Sequence, residues 1–195
     1  MSKFVTIKIE TEMKKTTKKE KLAIVKRGDF EYNYINKDGK LLLKEWFRYL
    51  SSFYNGFAVV KRANCEWNFI DTKGKILSSE WFKSVDYFNN DGFARVQRGD
   101  GLWNFIDTKG NILSEQWFMW VDDFKEGFAR VQRRNDKWNF IDTKGKILSE
   151  QWFMWAYYFH DGFARVKRED KLQNLINKQG KILSDEWFYS VEDFQ

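Results

Sequence analysis

The sequence predicts an all-β protein: a tandem array of five three-stranded β-meander units of about 35 residues, stacked as an open, twisted series. Three recurring markers predict it. Gly39, Gly74, Gly110, Gly145 and Gly180 stand 35 or 36 residues apart. Each is followed by a Trp-Phe pair: Trp46-Phe47, Trp81-Phe82, Trp117-Phe118, Trp152-Phe153 and Trp187-Phe188. Gly-Phe-Ala-x-Val then opens the next unit at Gly56, Gly92, Gly127 and Gly162, with a degenerate first copy, Lys21-Leu22-Ala23-Ile24-Val25. A fixed period of this kind marks units that bury their apolar faces only against neighbours.

The five units run over about 21–55, 56–91, 92–126, 127–161 and 162–195. Residues 1–20 stand apart: Phe4 to Ile9 alternate and predict one extra strand, and a Lys-rich linker follows. Within a unit, Gly92 to Arg98 alternates with period two, placing Ala94 and Val96 on one face and Phe93 and Arg95 on the other. A polar turn leads to a second strand, Trp103 to Asp107, rich in aromatic and β-branched residues. Asp-Thr-Lys-Gly then suits a turn closed by a left-handed glycine. A short third strand is expected after it, as at Lys146 to Ser149. Ser114 to Phe124, with Trp117, Val121 and Phe124 spaced by four and three, reads as one helical turn or an irregular link. At 35 residues the unit is short for a four-stranded propeller blade, and a closed five-bladed ring is the alternative to the open series.

These residues resemble the WG (KWG) repeat. Lys137-Trp138-Asn139-Phe140-Ile141-Asp142 to Gly145-Lys146 matches its central motif, with Asn139 where that family usually has Gly. The resemblance covers residues 21–195. It implies an all-β, propeller-like repeat fold in bacterial or phage proteins, and it supplies no catalytic residues.

Composition agrees with a packed, non-catalytic protein. Aromatics are 19% of the chain, too many for a disordered one. The net charge of +6 belongs mostly to residues 1–21, which hold seven Lys against three Glu, so the repeat body is nearly balanced. Cys65 is the single cysteine and is expected to be half-buried and inert. His160, the single histidine, falls in a turn. Asp71, Asp107 and Asp142 recur at the hairpin turn where Asn36 and Asn177 stand in the outer units. That exchange suits an Asx-turn acceptor, which needs an oxygen and no charge. No catalytic, metal or cofactor site is expected. No signal-peptide or membrane-spanning run is visible, which predicts a cytoplasmic protein.

Two sets of positions are candidate sites. Arg27, Arg62, Arg98, Arg133 and Arg168 recur in all five units and would align as a ladder, either a structural rung or an anion-binding strip. Arg95, Arg130 and Arg165 form a shorter set, with Ile24 and Val59 in the first two units. The Trp-Phe pairs never vary and are expected in the core. The next two positions do vary: Arg48-Tyr49, Lys83-Ser84, Met119-Trp120, Met154-Trp155, Tyr189-Ser190. Tyr49, Met119, Trp120, Met154 and Trp155 are therefore candidate partner-binding residues. The expected function is a protein-interaction or scaffolding repeat protein. The alternatives are a carbohydrate-binding protein, or a phage-associated inhibitor or nucleic-acid binder using the basic arm and the Arg ladder.

Overall fold

The computed structural model describes residues 21–194, so the expected N-terminal strand and most of the Lys-rich linker lie outside it. Among the described residues the chain is strand and turn, without helix. The first sheet pairs β1 (Leu22–Lys26) with β2 (Tyr32–Asn36). Four three-stranded antiparallel sheets follow. They are β3 (Tyr49–Leu50), β4 (Phe57–Lys61) and β5 (Trp67–Asp71); β6 (Ser84–Val85), β7 (Phe93–Gln97) and β8 (Trp103–Asp107); β9 (Trp120–Val121), β10 (Phe128–Gln132) and β11 (Trp138–Asp142); and β12 (Trp155–Ala156), β13 (Phe163–Lys167) and β14 (Gln173–Asn177). Among the described residues, substantial strand contacts occur within a sheet or between consecutive ones, and none joins the first sheet to the last, so the described sheets form an open series.

The first two expected strands of each unit form as read, with Ala129 opposite Ile141 and Val131 opposite Asn139. The third strand forms elsewhere. The stretch after Asp-Thr-Lys-Gly makes only one bridge, such as Ile141 to Ile147. A buried asparagine takes over there. Asn139 Nδ2 donates to the Ser149 carbonyl at 2.7 Å and the Gln151 carbonyl at 3.0 Å, and its Oδ1 accepts from the Phe140 amide at 2.8 Å. Asn33, Asn68, Asn104 and Asn174 do the same in their units. The side chain clips the chain into a bend where a ladder would have held it straight.

The third strand of each sheet comes from the link of the preceding unit. Phe118 exchanges backbone hydrogen bonds with Trp103, behind it in the chain, at 2.7 and 2.9 Å. One residue later the Met119 amide donates to the Gln132 carbonyl, ahead of it, at 2.8 Å. One extended segment therefore closes the outer edge of one sheet and the first edge of the next. The link is not helical; apart from the bridge at Phe118 and the two-residue strand Trp120–Val121 it is irregular, the second of the two readings expected. Its serine caps a bend: Ser114 Oγ accepts from the Gln116 amide at 3.2 Å.

The core lies between consecutive sheets. Phe105 of β8 is buried with Phe118 and Phe124 of the link and with Ala129, Val131 and Ile141 of the following sheet. Phe124 sits 4.7 Å from Phe105 and 5.0 Å from Phe93, ring centre to ring centre, and the motif recurs at Phe88 and Phe159. Of the invariant pair, the Phe is core: Phe47, Phe82, Phe118 and Phe153 are at most 1% exposed. The Trp is only half-buried, at the flank. Phe188, with no described unit after it, is 41% exposed.

The turns also carry the repeat. Asn55-Gly56, Glu126-Gly127 and Asp161-Gly162 each combine two residues of positive φ, the primed hairpin turn that matches strand twist. The single 36-residue spacing arises at Asn89 to Gly92, where one extra residue is held by Asn89 Oδ1 accepting from the Asp91 and Phe93 amides. Successive turns clasp one another: Glu126 accepts from the Asp161 and Gly162 amides at 2.9 and 3.0 Å.

The period-marking glycine has two reasons to be glycine. Gly145 has φ of +84°, and a Cβ there would stand 2.0 Å from the Leu113 carbonyl oxygen of the preceding unit. Gly39 has φ of +78° with nothing within 4 Å. Gly39→Ala should cost about 1 kcal/mol from backbone strain alone. Gly145→Ala should cost at least about 2 kcal/mol more, because it also forces two units apart. Urea unfolding of both variants checks this; equal losses would remove the close approach as the cause.

Candidate functional site

Each arginine of the five-membered ladder lies over the tryptophan of its own unit. Arg27, Arg62, Arg98, Arg133 and Arg168 stand 3.5–4.4 Å from the ring centres of Trp46, Trp81, Trp117, Trp152 and Trp187. A guanidinium over an indole face is a favourable cation–π contact, and the stacked Arg covers the flank of the half-buried Trp. The ladder is thus a structural seam at every rung. Arg27, Arg98 and Arg168 are also paired with Glu31, Asp100 and Asp170. Arg62 and Arg133 have no such carboxylate among the described residues, and burial pushes the Arg133 pKa down from its ordinary value.

The shorter arginine set bridges units. Arg95, Arg130 and Arg165 donate from Nη1 to the carbonyls of Val121, Ala156 and Val191, at 3.4, 2.9 and 3.2 Å. Each also meets a carboxylate: Asp86 and Asp123 for Arg95, Asp122 for Arg130, Asp193 for Arg165. Arg130 lies 3.9 Å over the Tyr158 ring, and Arg165 lies 4.5 Å over Tyr157.

The expected partner-binding residues are all at the surface. Tyr49, Met119, Trp120, Met154 and Trp155 are 39–46% exposed. The tryptophans are exposed and also fixed. Trp120 packs on Trp103 at 6.3 Å and donates from Nε1 to Asp122 at 2.9 Å. Trp155 packs on Trp138 at 5.1 Å. Met119 and Met154 precede them in the same two links, so the four residues give a repeated apolar pair. Tyr49 stands apart, against Trp67 in the second sheet.

The family described as "WG containing repeat" matches residues 34–64, 67–103, 103–138 and 140–171. The chain belongs to the WG-repeat family. No curated protein matches it. Among solved structures, the computationally designed Ika8 protein is 15% identical, with 85% of this chain covering 60% of that one at a TM-score of 0.37. BamB from Moraxella catarrhalis is 12% identical, with coverage of 84% and 57% and a TM-score of 0.38. The C-terminal WD40 domain of Sif2 is 11% identical, with coverage of 78% and 51% and a TM-score of 0.37. This WG chain spans about half to three fifths of the length of these three.

The remaining chemistry-bearing residues of the WG units serve turns. His160 is exposed in a turn beside Asp161. Cys65 is exposed, where a half-buried thiol was expected, because the hairpin turns outward at its φ of +70°. The Asx-turn reading holds in every unit: Asp107 Oδ1 accepts from the Lys109 and Asn111 amides at 2.8 Å each, and Asn36 and Asn177 accept in the same way. Sequence reasoning missed the buried asparagines and the Arg–Trp stacks. The signal was present in both cases, as one position fixed in all five units.

Partial burial of Asp107 raises its pKa, but the amides of Asn111, Lys109 and Gly110 and the Asn111 side chain outweigh that, and the net shift is downward. A depressed carboxylate stabilises the fold above its unfolded pKa, and that contribution is lost as pH falls through the folded pKa. Asp107→Asn keeps the oxygen and loses the charge. It should stay within about 1 kcal/mol of the parent at neutral pH. The gap should close on acidification, and chemical denaturation across pH measures it. A gap that widens in acid would show that the charge has no such role.

Proposed function

We propose that this WG-repeat chain is a non-catalytic protein-interaction scaffold, and that the third and fourth links carry its contact surface. The observation behind this is the exposed Met119-Trp120 and Met154-Trp155 pairs. Tryptophan is the residue type most enriched where binding energy concentrates, and methionine adapts its shape to an apolar partner. The indoles are already held by Trp103, Asp122 and Trp138, so little rotamer freedom is lost on binding. The equivalent positions in the first two links are Arg48-Tyr49 and Lys83-Ser84, so the apolar surface is local to the central units.

The single histidine stands in an exposed turn and the recurring aspartates are committed to backbone amides, which is why the reading is non-catalytic. Among the described residues no helix is long and apolar enough to cross a membrane. An apolar segment of another protein is the partner chemistry that fits Met and Trp.

Trp120→Ala combined with Trp155→Ala should keep a single cooperative unfolding transition at a lowered midpoint, because both indoles pack on a neighbouring tryptophan. It should lower recovery of partner from a native-host lysate at least about tenfold, the scale of one to two lost anchor residues. A photo-crosslinker at position 154 identifies what is bound. Partner recovery that is the same with and without the two indoles would sink the surface assignment.

A further inference from the structure

A second surface feature appears only when the units are compared. In the third, fourth and fifth units an arginine reaches across to the next link, and an acid sits beside it. In the first two units both are missing together. Ile24 and Val59 replace the arginine. Around Val59, Ser51 stands where the fourth unit has Asp122, and Tyr87 stands where it has Tyr158. Neither the Leu50 nor the Val85 carbonyl therefore meets a guanidinium. What remains is a groove of about 550 Å³ lined by Ile24, Tyr49, Leu50 to Tyr54 and Tyr87. That volume is in the range of small-molecule sites.

The groove is aromatic, hydroxyl-rich and uncharged. Tyr54 and Tyr87 are 54% and 52% exposed, with ring centres 6.4 Å apart and planes at 74°. The neighbouring Tyr87 hydroxyl and partial burial hold the Tyr49 pKa above its ordinary value. Ser51 Oγ accepts from the Val59 amide, which fixes the wall, and Ser52 is exposed beside it.

These properties select the ligand by elimination. A charged ligand would give up hydration with no lining charge to replace it. A purely apolar ligand would cover the exposed Tyr54 and Tyr87 hydroxyls and the Ser52 hydroxyl without pairing them. A ligand that fits has a flat apolar face for the rings, a rim of hydroxyls and no net charge. We infer that this groove is a binding site for a neutral saccharide, with sugar faces stacked on Tyr54 and Tyr87 and hydroxyls bonded to Tyr49 and Ser52. It is separate from the Met/Trp surface and does not rest on it.

The test titrates maltotriose, cellotriose and chitotriose, each to about 10 mM to cover millimolar dissociation constants, into the intact chain. The tyrosine ring NMR signals and the heat of binding are followed. At least one trisaccharide should shift the Tyr54 and Tyr87 signals, with affinity unchanged between low and high salt. Tyr54→Ala with Tyr87→Ala should weaken it at least tenfold. Val59→Arg with Ser51→Asp copies the Arg130–Asp122 pair of the fourth unit, so it should fold and should fill the groove, abolishing binding. The Trp120→Ala, Trp155→Ala protein should bind sugar normally, which separates this site from the scaffold surface. The inference is overturned if none of the three sugars perturbs the tyrosines, if both groove variants bind as well as the parent, or if ethylguanidinium binds there and the sugars do not.

Discussion

The structure depends on one constraint: each link segment must pair in two directions at once. Phe118 bonds back to Trp103 while Met119 bonds forward to Gln132. Neither sheet is complete without a segment it shares with its neighbour. The side chains repeat this logic, since Phe105, Phe118 and Phe124 form one cluster between two sheets. Gly110, Gly145 and Gly180 allow the backbones to come close enough for it, each next to a carbonyl of the preceding unit. A short unit with a small apolar surface is stable in this arrangement because its neighbours supply the rest of its core.

Much of this was legible in the sequence, because a repeat compares itself with itself. The strands Phe128–Gln132 and Trp138–Asp142 follow from period-two alternation, and the Asx turns follow from the Asp/Asn exchange. The misplaced third strand shows where local pattern ends. Lys146 to Ser149 has strand composition, but Asn139 reaches it from ten residues away and bends it. The true third strand, Trp120–Val121, is two residues long, too short to leave a periodic signal. The Trp-Phe pair read as uniform core because invariance does not distinguish a buried Phe118 from a Trp117 capped by Arg98. That distinction depends on which side of the link faces the neighbouring sheet.

The units differ in sequence mainly at positions the constraint leaves free. The fixed positions, Asn139, Gly145, Phe153 and Arg133 over Trp152, all maintain the stack. The free ones give the central links Met and Trp, and give the first two units tyrosines without the bridging arginine. The proposed contact surface and the proposed saccharide groove thus lie on different units of one repeat array. Either can change without disturbing the pairing beneath it, as a repeat array with sites at its variable positions requires.

The shared-segment constraint is tested most directly by native-state hydrogen exchange at two adjacent amides, Phe118 and Met119. Their acceptors belong to different sheets, Trp103 in one and Gln132 in the next. If one segment locks both sheets, the two amides open in a single event, with the same opening free energy and the same denaturant dependence. Distinct opening energies, each matching the remaining amides of its own sheet, would show that the sheets open independently and would contradict the account.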